Sequence, residues 1–102
     1  MSNKKQIQKS EWQERLQTFT SGNRGRKAAI AAEGMTLVEN KPFENVFYDP
    51  VGKGNELVIS VEDFTHTVAA PTELYVEESE KGVVTSLEVV DQNGQSCFLR
   101  FY

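Results

Sequence analysis

The clearest hydrophobic rhythm in the chain has a period of two. In residues 56–62, Glu-Leu-Val-Ile-Ser-Val-Glu, the side chains of Leu57, Ile59 and Val61 fall on one side. Val58, Ser60 and Glu62 fall on the other, which is the alternation of a half-buried strand. Phe-Thr-His-Thr-Val, residues 64–68, follows after a tight turn at Asp63. As a strand it sets Phe64, His66 and Val68 on one face and Thr65 and Thr67 on the other. Pro71 then breaks the ladder. Three further strand patterns occupy residues 73–78, 83–90 and 96–102, joined by Ser-Glu-Lys-Gly and Gln-Asn-Gly. Asn-Gly between alternating runs is a hairpin signal.

The register of the last hairpin follows from burial. A two-residue Asn-Gly loop sets Leu87 opposite Arg100 and drives a cation into the core. A three-residue loop, with Gly94 in the left-handed region, pairs Val89 with Cys97 and Leu87 with Leu99. It leaves Arg100 opposite Ser86 on the outer face. The desolvation cost of a buried guanidinium selects the longer loop. The same logic predicts a four-residue loop at 79–82, pairing Val76 with Thr85 and Leu74 with Leu87.

Upstream the period changes. Trp12, Leu16 and Phe19 recur at helical spacing and predict a short helix over residues 10–22. Ser10 is placed as its N-cap, with Gln13 completing a capping box, and Gly22 as its left-handed C-terminal residue. Ala28, Ile30 and Ala32 alternate as a strand, which residues 35–38 continue after a kink at Gly34. Residues 39–42 read as a turn ended by Pro42, residues 43–49 as a strand, and residues 50–55 as a loop. That loop lacks the spacing of a phosphate-binding loop, and Lys53 reads as a solvated lysine. Residues 1–9 read as a frayed segment and 10–102 as a single domain. The predicted fold is α+β: one N-terminal helix packed on a mostly antiparallel sheet of six or seven strands, able to curl into a partial barrel.

Composition narrows the function classes. The chain has 102 residues, 38% hydrophobic and 25% charged, a globular balance sufficient for one modest core. Its longest apolar runs are far short of the ~20 residues that span a bilayer. The opening Met-Ser-Asn-Lys-Lys-Gln has no apolar centre, so it is not read as a secretory signal, and a cytoplasmic protein is expected. Net charge is −4, unevenly spread. Residues 1–27 carry seven Lys/Arg against two Glu, and residues 28–102 carry four against thirteen Asp/Glu. The acidic body argues against nucleic acid as a partner.

The catalytic inventory is thin. One histidine and one cysteine cannot assemble the usual zinc sets, so no metal or cofactor is implied. A Cys97–His66 pair would require a reactive thiolate, but the register places Cys97 on the apolar face, where a cysteine behaves as a small hydrophobe. Glu73 and Glu77 share a solvent-facing side. His66 reads first as a half-buried strand histidine. With Thr65 and Thr67 it is also the candidate contact for a ligand or partner. Tyr75, Phe98 and Arg100 share the outer face of the C-terminal strands; they form a second candidate contact patch, or else the N-terminal helix or the Phe47 strand covers that face.

Taken together, Thr65-His66-Thr67, Pro71-Thr72, Glu77-Glu78, Leu87-Glu88, Asp91 to Gly94 and Leu99-Arg100-Phe101 resemble a family of small bacterial proteins, cyanobacterial members included. That family is classed as a domain of unknown function. Trp-Gln-Glu-Arg-Leu-Gln-Thr-Phe-Thr, from residue 12, is similar to its opening aromatic helix. The alanine-rich stretch 27–42 departs from the pattern. The resemblance implies no activity. The expectation is a non-catalytic interaction or regulatory module with a protein partner, either a monomer or a homodimer. The alternative is a small-ligand binder with a pocket in the curled sheet lined by Phe64, His66 and Val68.

Overall fold

The computed structural model describes residues 3–50 and 54–102, so Lys53 lies outside the described residues. Eight strands form one antiparallel sheet: β1 (Asn3–Gln6), β2 (Lys27–Ala32), β3 (Met35–Asp49), β4 (Glu56–Val61), β5 (Phe64–Ala69), β6 (Pro71–Glu78), β7 (Val84–Asp91) and β8 (Ser96–Phe101). A 3-10 turn (Lys9–Glu11) leads into the helix α1 (Trp12–Asn23). The spatial order is β1-β6-β7-β8-β2-β3-β4-β5, and the sheet is open. The α+β class is as expected, but the strands number eight rather than six or seven.

Two strands were not legible. Residues 3–6, read as frayed, pair with β6 from Asn3–Glu78 to Gln6–Tyr75. Ile7 behind them is buried and its N–H donates to Leu74 O at 2.8 Å. Residues 27–38 are not one strand kinked at Gly34. Glu33 (φ 54°) and Gly34 (φ 78°) form a two-residue turn that sends β3 back along β2, pairing Ala32 with Met35. Two successive positive φ values give the hairpin turn whose twist matches its strands.

Nor does the chain turn at 39–42. β3 runs through Pro42 and changes partner there: residues up to Pro42 pair with β2, and residues from Phe43 pair with β4. The proline stands where one ladder ends, so its missing N–H costs little. Asn40 (φ 57°) absorbs the first of two register shifts along β2, between Ala28 and Ile30.

The helix covers the edge of β3 that this change of partner leaves open. Thr20 Oγ1 accepts from Val46 N–H and donates to Val46 O, both at 3.1 Å. Gly25 N–H and Arg26 O bond Phe43. One hydroxyl thus stands in for a neighbouring strand. Trp12, Leu16 and Phe19 fill the concave side, as the spacing predicts. Trp12 stacks edge-on against Tyr48 at 5.0 Å and Phe19 against Phe43 at 5.8 Å. Burial of side chains this size contributes roughly 1.5–3 kcal/mol each. The caps differ from expectation. Glu11 is the N-cap residue and makes no side-chain capping bond, Ser10 lies in the 3-10 turn, and Gly22 is helical. The left-handed residue after the helix is Gly25 (φ 91°), and Asn23 bonds Phe19 O.

The C-terminal register is the one burial selects: Val89 faces Cys97, Leu87 faces Leu99, and Ser86 faces Arg100. The β6–β7 register differs by two residues, pairing Val76 with Leu87 and Leu74 with Val89, with an irregularity beside Thr85. Both loops are built alike. Ser79 Oγ accepts from Lys81 and Val83 N–H, and Asp91 Oδ1 accepts from Asn93 and Gln95 N–H. Gly82 (φ 80°) and Gly94 (φ 78°) supply the left-handed position of each three-residue loop.

β5 joins β6 through Ala70 alone, although the two strands lie six places apart in the sheet. At roughly 4.8 Å per strand, a flat sheet would separate them by about 29 Å, against a reach of about 7 Å for the connection. The sheet must therefore curl until the ends of β5 and β6 meet. Ala70 (φ 50°) makes the corner, donating to Asn55 O at 2.9 Å and accepting from Gln92 N–H at 3.0 Å.

Thr20→Val keeps the volume of the side chain but strands the Val46 N–H and C=O. It is expected to lower unfolding stability by about 1–3 kcal/mol in urea titration, whereas Thr20→Ser, which retains the hydroxyl, costs much less.

Candidate functional site

The curl leaves a cleft of about 310 Å³ where β5 passes the tip of the β2–β3 hairpin and the loop between β7 and β8. Its walls are Met35 and Leu37 of β3, His66 to Ala69 of β5, the 91–95 loop, and Cys97. The loop wall is fixed by its own backbone bonds and by Gln92 N–H on Ala70 O. Met35 is 66% exposed and Leu37 38%, so two large apolar side chains stand uncovered on the opposite wall from β5.

His66 pairs with Ile59 and shares its inward face, half-buried with Phe64, while Val68 is fully covered. Thr65 and Thr67 point out and are exposed. Among the described residues no hydrogen bond reaches either ring nitrogen of His66. Burial lowers its pKa below the usual histidine value, and the nearby Glu33 carboxylate opposes that shift. The imidazole is therefore neutral at physiological pH. It presents one donor and one acceptor to the cleft. Cys97 lines the same cleft, but burial pushes its thiol up to about 12. No thiolate is available for His66 to pair with.

β5 is one edge of the sheet, β1 the other, among the described residues. Residues 96–101 are interior: β8 lies between β7 and β2. Ala70 N–H bonds Asn55 O in the register of the β4–β5 ladder. Bonded pairs alternate in an antiparallel ladder, so Phe64, His66 and Val68 are the residues bonded to β4. Thr65, Thr67 and Ala69 then direct their N–H and C=O groups away from it. Six consecutive residues, Phe64 to Ala69, carry no lysine, arginine or carboxylate. The β1 edge by contrast carries Lys4 and Lys5.

Tyr75, Phe98 and Arg100 lie elsewhere, on the convex face of β6–β8, and the structure does not bring them to His66. Their face is internally satisfied. Lys4 covers the Tyr75 ring at 4.9 Å, and Arg100 covers Phe98 at 4.7 Å. Glu88 sits between the two rings, paired with both Tyr75 and Phe98 across the strands. Its Oε1 has the Lys4 ammonium as counter-ion, and its Oε2 accepts from Ser96 Oγ at 2.7 Å. Burial pushes the Glu88 carboxyl up, but the bonds from Lys4 and Ser96 outweigh this and hold it below the usual range. Glu73 accepts from the Tyr75 hydroxyl and Glu77 from Ser86, so both are half-buried rather than free in solvent.

Fold and cleft together define an α+β protein on an open, curled antiparallel sheet, with one uncharged edge beside a preformed cleft. The chain belongs to a family of unknown function (DUF5335), whose pattern matches residues 3–102. It is also 40% identical over 63 residues to an uncharacterized protein of Aquifex aeolicus (strain VF5). That match covers 62% of this chain and 55% of the relative, so the chain spans about half the length of the curated relative it matches. No solved structure matches. No helix among the described residues is long and apolar enough to cross a membrane.

In a proton NMR titration, His66 is expected to protonate below the unfolded value of about 6.5. Glu33→Gln is expected to lower its pKa further by removing the opposing charge. Because the folded state binds this proton less well than the unfolded chain, the His66 contribution to stability falls as pH drops through 6.5 toward the folded pKa. Cys97 should resist iodoacetamide at pH 7 in the folded protein and react fully once urea unfolds it. Rapid labelling of the native state would contradict its burial.

Proposed function

We propose that the chain is a non-catalytic interaction module whose β5 edge receives an extended segment of a protein partner. The free row of N–H and C=O groups at Thr65, Thr67 and Ala69, on a strand without charge, supports this reading above all. A strand laid on such an edge gains ladder hydrogen bonds for affinity, and its alternate side chains read specificity. Inward-facing side chains of the partner would enter the cleft, meeting the neutral His66 imidazole and the exposed Met35 and Leu37. Soluble proteins blunt an edge they do not use with lysine, proline or a bulge. β1 has its lysines; β5 has none of these between Phe64 and Ala69.

A second reading assigns the cleft to a small molecule. Its volume of about 310 Å³ and its mixed apolar and polar lining support it.

One experiment separates the two. Random peptides displayed on phage are selected against the immobilised protein, and the bound sequences are synthesised with a fluorophore for anisotropy. Strand docking predicts that Thr67→Pro weakens binding by about tenfold or more, since it deletes an outward N–H that the β4–β5 ladder does not use. Unchanged affinity in a folded Thr67→Pro protein would refute docking at this edge. Affinity kept in Thr67→Pro but lost in His66→Ala would put the bound group in the cleft without strand pairing, as the second reading requires.

A further inference from the structure

We infer that the segment received by the β5 edge is the β5 edge of a second copy of this chain, paired antiparallel about a two-fold axis at Thr67. The inference rests on the strand-docking reading and names its occupant. The argument is self-complementarity. The outward-facing residues are Thr65, Thr67 and Ala69, spaced two apart, with Thr67 central. About a two-fold axis there, Thr67 faces the partner subunit's Thr67, and Thr65 faces the partner subunit's Ala69. Every outward N–H then meets an outward C=O, with both bonds of each facing pair made. A register moved by one residue would set outward groups against residues already bonded to β4. A register moved by two leaves one outward residue of each strand without a facing pair, so the axis at Thr67 is the one that makes the most ladder bonds.

Charge points the same way. The chain carries −4, so two copies repel unless their contact avoids carboxylates. β5 meets that condition along its whole length. Its acidic flank, Glu62 and Asp63, lies at one end only. Antiparallel pairing sets that flank against Ala70 and Pro71 of the second copy, with Asp91 on the strand beside Pro71, so the two acidic turns never meet. The β1 edge could not serve in this way, because its Lys4 and Lys5 would confront their own copies. β-branched and aromatic residues fill four of the six β5 positions, Phe64, Thr65, Thr67 and Val68, which favours the extended form that pairing needs.

Sedimentation equilibrium across a wide dilution series tests the assignment. Wild type should show a reversible monomer–dimer equilibrium. Thr67→Pro, with an unchanged far-UV circular dichroism spectrum, should weaken it by about tenfold or more. Two charge variants keep the test decisive should the proline variant misfold. Thr67→Lys and Thr67→Glu should each be monomeric alone, because like charges face each other at the axis. Mixed in equal amounts they should recover a dimer. A monomeric wild type, a dimer that persists in the lysine variant, or a mixture that stays monomeric overturns the inference. A monomeric wild type that still binds selected peptides in a Thr67-dependent manner leaves strand docking standing and removes only the second copy. Failure of both removes both.

Discussion

A single residue, Ala70, carries the constraint on which the architecture depends. It must connect two strands that the sheet order holds six places apart. No flat or gently twisted sheet allows this, so the sheet rolls up. The roll creates a concave interior, and the interior gathers Leu57, Ile59 and Val61 from one side against Leu74, Leu87, Val89 and Leu99 from the other. The change of partner along β3 leaves it with an open edge, and Thr20 on α1 closes it with one hydroxyl. A left-handed backbone at a residue bearing a Cβ costs roughly 1–2 kcal/mol. Bonds to Asn55 and Gln92 hold Ala70 there, tying the corner to the start of β4 on one side and to the loop wall of the cleft on the other.

Much of this was legible wherever burial distinguished the alternatives. The β7–β8 register followed from one residue, because any slip by one would have buried Arg100. The β6–β7 register was misread by two, and a slip of two is invisible to alternation: Leu74, Val76, Leu87 and Val89 face inward either way. The turn at Glu33-Gly34 was read as a kink, because glutamate rarely takes the first left-handed position of a tight hairpin. Pro42 was read as a stop because the change of partner that excuses it is a property of the sheet and not of the local sequence. β1 has four polar residues and no alternation to see; only its pairing with β6 makes it a strand.

The candidate site divides in the same manner. The faces of β5 were legible, with His66 inward and Thr65 and Thr67 outward. That β5 is an edge was not, because strand order is fixed by contacts remote in sequence. The aromatic pair Tyr75 and Phe98 looked like an exposed patch in the alternation. Lys4, Glu88, Ser96 and Arg100 make contacts within it, and the first of these comes from a strand the sequence did not reveal.

The seam between β2 and β8 has a consequence for the order of folding. It pairs Ala28 with Phe101 and Ala32 with Cys97, partners separated by about two thirds of the chain. Hairpins β2–β3–β4–β5 and β6–β7–β8 are local and can form early, each as its own ribbon. The interior they share exists only once β8 docks on β2, and closing so long a loop is entropically slow. A nascent chain must therefore carry two exposed half-cores through synthesis. Until residues 96–101 emerge, the apolar faces of both ribbons have only the helix, a chaperone or another nascent chain to cover them.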